Sequence, residues 1–276
     1  MKNIFIATDF SEASLNAAKY AVALAGHFNS TIFLFNAYQT PVSIPESYIF
    51  FTVEQVGEEV MMLLEKEEKI ISRYGMVPIE KCMAEGNPVN TILSEATKRK
   101  ADLIVCGMKG SGKILKRIFG STATDLARQT NIPLIIVPEN TPFHLPDNIA
   151  FASDNKTIPG VQNILTLKQI GTQFNSKLSV VSVADDGAND SFEFREKFTD
   201  FIEALQSMKP SLEALEGSDI PAVLEKYIKD HAVNLIVLIP HEHGFLSGIF
   251  GGSITKHMSF LSDVPVLILP EKRDEA

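Results

Sequence analysis

The chain has 276 residues, 45% of them apolar, which is enough to bury the cores of two domains of ordinary size. Residues 1–141 carry 14 basic and 15 acidic side chains, which leaves 11 and 19 of the totals of 25 and 34 for residues 142–276. This acidic balance argues against nucleic acid as a general partner. The opening residues are too short an apolar run for a signal peptide, and no run approaches the roughly 18 apolar residues of a membrane span. We therefore expect a cytoplasmic protein that does not bind membranes.

Apolar strand patterns alternate with amphipathic helix patterns along the first half. The predicted strands are 3–8, 31–37, 78–84, 102–106 and 133–137, and the predicted helices are 12–27, 54–74, 88–100 and 121–130. This alternation is typical of a parallel sheet with helices on both faces. The continuous apolar runs 103–106 and 134–137 suit strands that are buried on both sides.

The second half repeats the first. Residues 3–9 read Asn-Ile-Phe-Ile-Ala-Thr-Asp, and residues 148–154 read Asn-Ile-Ala-Phe-Ala-Ser-Asp. Strands are predicted in the same order at 148–152, 177–183, 211–216, 234–239 and 265–269. A repeat of half the chain length predicts two similar domains, 1–141 and 142–276, with the boundary in the proline-containing stretch 138–146.

One segment of the first half has no counterpart in the second. It spans residues 38–53 and contains two prolines and several aromatic residues. Two interpretations stay open: a lid over a ligand, or a surface connection packed by its own aromatic side chains.

Two groups of residues invite a metal interpretation. Cys82 and Cys106 fall inside predicted strands without metal-ligand spacing, so we expect buried thiols. Residues 241–243 read His-Glu-His, with His257 or Asp154 as a further candidate ligand. A site needs three or four converging donors, and only two histidines are close in sequence, so solvated loop histidines are the favoured interpretation.

A glycine-rich basic segment follows the strand that ends at Cys106. Residues 107–113 read Gly-Met-Lys-Gly-Ser-Gly-Lys, and residues 120–122 read Gly-Ser-Thr at a predicted helix start. Glycines let backbone N–H groups approach an anion, and the helix start adds free amides, two hydroxyls and the positive end of the dipole. Four cations lie in this window with no acid: Lys109, Lys113, Lys116 and Arg117. Ligands of open parallel sheets bind where strand ends meet helix starts, so the segment predicts a polyphosphate site.

A Walker P-loop is the competing interpretation, because residues 107–113 match Gly-x4-Gly-Lys. The residue that follows must be Ser or Thr to hold magnesium, and here it is Ile114. The segment also follows a late strand rather than the first one. We therefore do not predict a P-loop NTPase.

The spacing Gly107-x2-Gly110-x9-Gly120-Ser121 resembles the nucleotide-binding signature of the universal stress protein (UspA-like) family, in its ATP-binding branch. Asp9 at the end of the first strand, the Ala-Asp-Leu-Ile-Val of 101–105 and the Pro-Leu-Ile-Ile-Val-Pro of 133–138 agree with it. The resemblance covers both halves and therefore suggests a tandem member.

The resemblance implies a Rossmann-like, adenine nucleotide α-hydrolase-like fold. Each domain would be an open parallel five-stranded sheet of order 3-2-1-4-5, with helices on both faces. ATP, with Mg²⁺ expected beside it, would bind between the ends of strands one and four. The implied binding residues are Ala7, Thr8, Asp9, Ala37, Cys106, Gly107, Lys109, Gly110, Lys113, Gly120, Ser121 and Thr122.

Within that set, the residue matching Asp9 contacts the nucleoside portion in similar proteins. The backbone near Ala7 and Ala37 lines the adenine pocket, and the glycines with Ser121 hold the phosphates. From the residues alone, Asp9 could instead serve the start of the following helix, and Ser11 is expected to be the N-cap of that helix.

The second copy of the glycine segment is degenerate. Asp102 aligns with Asn234 and Gly120 with Gly252 without a gap, so Gly107 becomes Ile239 and Gly110 becomes Glu242. A β-branched residue resists unusual backbone angles, and a carboxylate repels phosphate. We expect no ATP there, and expect the second domain to pack against the first as a pseudo-dimer partner.

The leading hypothesis is thus an ATP-binding stress-response module, with at most slow hydrolysis, because no motif places a general base or nucleophile near the glycines. An enzyme of the adenine nucleotide α-hydrolase class and a nucleotide-free interaction protein are the alternatives. Homodimerisation and a protein partner are left open.

Overall fold

The computed structural model describes residues 1–40, 53–109, 121–153, 164–184, 198–217, 219–240 and 263–270. Its strands are β1 (Asn3–Ala7), β2 (Thr31–Tyr38), β3 (Ile79–Glu85), β4 (Leu103–Met108), β5 (Leu134–Pro138), β6 (Asn148–Ser153), β7 (Lys177–Ala184), β8 (Ser211–Glu216), β9 (Leu235–Leu238) and β10 (Val266–Ile268). Its α-helices are α1 (Glu12–Phe28), α2 (Val53–Ile71), α3 (Pro88–Lys98), α4 (Ser121–Gln129), α5 (Leu165–Phe174), α6 (Thr199–Ala204) and α7 (Ile220–Asp230). Most of the candidate lid, residues 41–52, lies outside the described residues.

The strands form one ten-stranded sheet of order β3-β2-β1-β4-β5-β10-β9-β6-β7-β8. Each half therefore has the predicted order 3-2-1-4-5, and its strands pair in parallel. The two halves meet at their fifth strands, which pair antiparallel with Val266 opposite Ile136 and Ile268 opposite Leu134. This junction was not predicted, and it covers an edge strand of each half with the other.

Helices cover both faces of the sheet, as predicted. Along β1, Ile4 and Ile6 pack into the core on one face, whereas Phe5 and Ala7 pack into the core on the other. α1, α2, α5 and α6 contribute to the first core, and α3, α4 and α7 contribute to the second. Within the described part of the chain, no helix combines the length and apolar character that a membrane span requires.

The local signals at the ends of α1 explain where that helix starts and stops. Ser11 is its N-cap, because the Ser11 side chain accepts a hydrogen bond from the backbone N–H of Ser14 at 3.2 Å. Asn29 ends the helix in the left-handed conformation and donates its N–H to the carbonyl of Ala25. The predicted N-cap role of Ser11 is confirmed.

The sequence repeat is preserved in hydrogen bonds at the amino end of the sheet. Asp102 accepts the N–H of Asn3 at 2.9 Å, and its counterpart Asn234 accepts the N–H of Asn148 at 3.2 Å. Asn29 and its counterpart Asn175 are both left-handed helix caps. The duplicated residues at this end therefore serve the fold in both halves.

The first helices of the two halves, α1 and α5, also meet. The rings of Phe28 on α1 and Phe174 on α5 are 5.9 Å apart between centroids, in an edge-to-face arrangement. These two residues are equivalent in the repeat, and equivalent residues in mutual contact are what an approximate two-fold axis produces. On the same helix, the Asn16 amide donates to the carbonyls of Pro138 and Thr141 and so fixes the chain where it leaves β5.

Candidate functional site

The order of the strands reverses between β1 and β4. From β1 the chain passes through α1 to β2 on one side, and from β4 it passes to β5 on the other side. A crevice forms at the carboxyl ends of two strands where such a reversal occurs, and ligands of open α/β sheets bind in it. Ala7 and Cys106, two of the predicted site residues, are directly paired at this point.

The thiol of Cys106 belongs to the core and does not face the crevice as a reactive group. Burial raises its pKa to about 12, and the nearby negative charge of Asp9 acts in the same direction. Burial likewise raises the pKa of the Cys82 thiol to about 11. The expectation of two buried cysteines is confirmed.

Small side chains occupy the ends of the central strands on the face that carries α3 and α4. Ala7 pairs with Phe35, and Ala37 lies two residues beyond Phe35 on the same face of β2. Across from Ala37 lies Ala84 of β3, which the sequence did not single out. Ala37 and Ala84 lie at one level, two residues beyond the level of Ala7, so only small side chains of these strands project from this face near their carboxyl ends.

Asp9 lies in the turn between β1 and α1, with its side chain exposed. Its carboxylate accepts the N–H of Ser11 at 3.0 Å. Partial burial of the carboxylate favours the neutral form, but hydrogen bonds involving Ser11 and Ser14 outweigh it and lower the pKa of Asp9. Asp9 is therefore anionic at neutral pH and held toward the start of α1.

Two neighbours of Asp9 fix the shape of this turn. Phe10 has a φ of +62°, a left-handed conformation that is unfavourable for an aromatic residue. Its N–H donates to Thr8 Oγ1 at 3.0 Å, and the carbonyl of Thr8 accepts the side-chain amide of Asn36 at 2.8 Å. The predicted residue Thr8 is thus buried and holds the turn through both its backbone and its hydroxyl.

Glu67 is a residue of this region that the sequence analysis missed. It lies on α2, its side chain is only 5% exposed, and its two carboxyl oxygens lie 2.9 and 3.0 Å from Thr8 Oγ1. Burial raises the pKa of Glu67 to about 7, against the opposing effect of the Thr8 hydrogen bond and with help from the charge of Asp9. A signal was present, because Glu67 interrupts the buried stripe of Leu64 and Ile71 at helical spacing.

Gly107 requires a correction to the sequence argument. It lies inside β4, pairs regularly with Val137, and does not have the left-handed backbone that favours glycine. The reason for glycine is space, since a Cβ there would lie 2.4 Å from the carbonyl oxygen of Ala13 and 2.6 Å from the nitrogen of Ser14. Gly107 therefore lets the first turn of α1 approach β4 closely.

The predicted phosphate ligands are described only in part. Lys109 directly follows β4 and is exposed. Ser121 and Thr122 form the start of α4, and the first turn of that helix contains no acidic residue. Gly110, Lys113 and Gly120, together with Lys116 and Arg117, lie outside the described residues.

In the second half the described residues stop short of the equivalent region. Ile239, which replaces Gly107, is buried at the end of β9. Asp154, the segment 241–243, Gly252 and His257 lie outside the described residues. Among residues that the structure describes, no group of His, Cys, Asp and Glu is arranged to hold a metal ion.

A family model named for the universal stress protein family matches residues 1–138, half of the chain. The chain belongs to the universal stress protein family. Universal stress protein MJ0531 of Methanocaldococcus jannaschii is 33% identical over 139 residues, which are 49% of this chain and 81% of that protein. Stress response protein NhaX of Bacillus subtilis is 28% identical over 49% of this chain and 96% of its own length.

Solved structures of universal stress proteins match at two scales. One from Archaeoglobus fulgidus superposes over 98% of both chains with a TM-score of 0.76 at 17% identity, which establishes the shared two-part fold. A universal stress protein solved in complex with cAMP matches 50% of this chain and 98% of its own at 24% identity, with a TM-score of 0.41.

Proposed function

We propose that this universal stress protein binds one adenine nucleotide, ATP with Mg²⁺, in the crevice between β1 and β4 of its first half. It would act in the stress response as a nucleotide-dependent binding module, with hydrolysis slow or absent. The proposal is supported by the topology, since Asp9 follows β1 and Lys109 follows β4, two neighbouring parallel strands from whose carboxyl ends the chain leaves in opposite directions.

The chemistry of the described residues suits the two ends of a nucleotide. The first turn of a helix has backbone N–H groups without helical partners, and the first turn of α4 carries no acidic side chain. Lys109 directly follows β4 and adds a positive charge at the carboxyl end of that strand. On the other side of the crevice, Ala7 and Ala37 leave space for a base, and the anionic Asp9 can accept hydrogen bonds from a ribose.

The second half would serve as the partner of the first rather than as another binding domain. It supplies β10, which pairs with β5, and it replaces Gly107 and Gly110 by Ile239 and Glu242. A β-branched side chain takes the place of the glycine that admits α1, and a carboxylate takes the place of a phosphate ligand. One nucleotide per chain follows from this difference.

The test combines identification of bound molecules with a titration. Purified protein is denatured, the released small molecules are identified by mass spectrometry, and the nucleotide-free protein is titrated with MgATP by calorimetry. We expect ATP or ADP and about one equivalent per chain. Gly110→Glu, which imports the residue of the second half, should weaken binding at least about tenfold, because it adds a negative charge where the phosphates are expected to bind.

Glu242→Gly is the matched control at the equivalent position and should leave the stoichiometry at one. Two equivalents in the parent protein would refute the single-site proposal. Rapid release of AMP and pyrophosphate would identify an α-hydrolase-type enzyme instead. Complete lack of adenylate binding would favour a nucleotide-free interaction protein.

A further inference from the structure

Glu67 is a buried acid that the fold itself does not require. In the second half, the buried residues that precede the 3-10 helix Gln206–Met208 are Phe198, Phe201 and Leu205. In the first half, Leu64, Glu67 and Ile71 precede the 3-10 helix Ser72–Tyr74 with the same spacing. Phe201 therefore occupies the position that corresponds to Glu67. A phenylalanine thus fills this position in the half that lacks the glycine segment.

The contacts of Glu67 lead directly to the turn that carries Asp9. Besides its contacts with Glu67, Thr8 Oγ1 lies 3.1 Å from Ser14 Oγ. Ser14 Oγ in turn lies 3.0 Å from the carbonyl oxygen of Ser11. Glu67, Thr8, Ser14 and Ser11 therefore form one chain of oxygen atoms that runs beneath the turn.

A count of hydrogens shows which state of Glu67 makes every contact in this chain a hydrogen bond. Three consecutive oxygen contacts need three hydrogens, and the hydroxyls of Thr8 and Ser14 supply two. When Glu67 is ionised, Thr8 donates to its carboxylate and Ser14 donates to Ser11, which leaves the contact between Thr8 and Ser14 without a hydrogen. When Glu67 is protonated, it can donate to Thr8, Thr8 can donate to Ser14, and all three contacts become hydrogen bonds. If Glu67 loses its proton, one of the three contacts loses its hydrogen bond.

We propose that Glu67 is a positioning residue of the nucleotide site, which in its protonated form fixes the turn of Asp9 through Thr8, so that nucleotide binding favours the protonated state. This inference rests on the proposed function for its ligand. The ligand is anionic, and ionised Glu67 would add negative charge beneath it as well as break the chain of hydroxyls. Affinity should therefore fall as the pH rises and Glu67 ionises.

Asp9 is the charged group whose field acts on Glu67 across the turn, and burial and Asp9 together bring the pKa of Glu67 to about 7. Of the other charged and titratable side chains on elements packed against α2, Lys19 lies over the ring of Tyr74, Lys81 pairs with Glu68, and the Tyr38 hydroxyl lies near Gly57. These elements also carry Glu12, Tyr20 and His27 on α1 and Glu80 and Glu85 on β3.

The experiment compares wild type, Glu67→Gln and Glu67→Met by MgATP calorimetry at pH 6 and pH 8, with thermal unfolding of each variant as the check of folding. Glutamine mimics the protonated acid and can still donate to Thr8, whereas methionine fills the same space without a hydrogen bond. Ionisation of ATP itself is common to all three proteins and cancels in their ratios. We expect Glu67→Gln and wild type to bind MgATP with similar affinity at pH 6. At pH 8, Glu67→Gln should bind at least about threefold more tightly than wild type. Glu67→Met should bind more weakly than Glu67→Gln at both pH values.

A second measurement needs no ligand. The amide signals of Phe10 and Ser11, followed by NMR in the nucleotide-free protein, should titrate with a midpoint near pH 7 in wild type and stay constant in Glu67→Gln. A binding ratio that does not change with pH, or amides that do not titrate, would overturn the role of Glu67. If no variant binds ATP, the proposed function fails, and the amide titration still decides whether Glu67 controls the turn.

Discussion

The backbone of Ala13 lies directly against Gly107, so that a single added methyl group at Gly107 would overlap the Ala13 carbonyl carbon and oxygen, each 2.4 Å away. The obstacle is backbone in the first turn of α1 and cannot rotate aside. The close approach of β4 and α1 beside the crevice therefore depends on the absence of a side chain at residue 107.

Gly107→Ala should lower the free energy of unfolding by about 1–3 kcal/mol, because α1 must move away from the sheet. It should also weaken MgATP binding, since the turn of Asp9 enters α1. Chemical denaturation and calorimetry measure the two effects.

Gly26→Ala is the control, because a Cβ at Gly26 meets nothing within 4 Å. It lies inside α1 and should raise stability by about 0.5–1 kcal/mol without changing binding. Equal effects of the two substitutions would contradict the steric role of Gly107.

Ser11 caps α1, and its removal separates stability from binding. Ser11→Ala should lower the free energy of unfolding by about 1 kcal/mol, because the N–H of Ser14 loses its side-chain partner. Ser11→Asp should keep the cap and restore stability, yet weaken MgATP binding by placing a second carboxylate beside Asp9. If Ser11→Asp bound ATP as tightly as wild type, the ligand would not lie near this turn.

The sequence patterns predicted the strands of both halves and the helices of the first half, and the family resemblance implied the order of strands within each half. Continuous apolar runs such as those of β4 and β5 are strong local signals. Because the chain is a repeat, each strand pattern also occurs twice in the sequence. The antiparallel pairing of Ile136 with Val266 was not predictable, because both fifth strands are short apolar runs whose pattern does not state which strand lies beside them.

The sequence predicted where a candidate site would lie, but not which contacts and backbone conformations shape that region. Gly107 was singled out for a backbone angle that it does not adopt, because the sequence does not reveal which atoms a side chain at that position would meet. Glu67 was hidden among the many acids of α2, and only its place in the buried stripe distinguishes it. The left-handed Phe10 carries no sequence signal at all, since aromatic residues rarely adopt that conformation.

The raised pKa of Glu67 predicts how stability depends on pH. An acid whose pKa is higher in the folded state, about 7 against 4.5, keeps its proton on folding in the interval between these values, whereas the unfolded chain releases it. The unfolded state then binds fewer protons, so stability falls as the pH rises from about 4.5 to about 7, by up to about 3 kcal/mol.

Denaturation of wild type and Glu67→Gln across pH 5 to 8 tests this dependence. Glu67→Gln should lack that part of the decline and should exceed wild type in stability most clearly at pH 8. Parallel curves for the two proteins would show that Glu67 ionises as readily in the folded protein as in the unfolded chain.

The two cysteines should be inert in the native protein. Both are buried and have a raised pKa, so neither thiolate is available near neutral pH. Ellman's reagent at pH 8 should detect no thiol in native protein and two per chain in denaturant. Ser94→Cys, on the exposed face of α3, provides the positive control, and fast reaction of one native thiol would contradict the burial of Cys82 or Cys106.

The contact between Phe28 and Phe174 predicts that the two halves stabilise each other. Each ring loses apolar contact when truncated, so Phe28→Ala and Phe174→Ala should each lower the free energy of unfolding by about 1–3 kcal/mol. An edge-to-face pair contributes beyond area alone, so the double variant should show a coupling energy of about 0.5–1.5 kcal/mol. Phe33, which packs on the opposite face of the sheet, supplies the control pair with Phe28, and those two substitutions should be additive. Additivity of Phe28→Ala and Phe174→Ala as well would mean that the helices beside the junction are not in energetic contact and that the β5–β10 pairing holds the halves together without them.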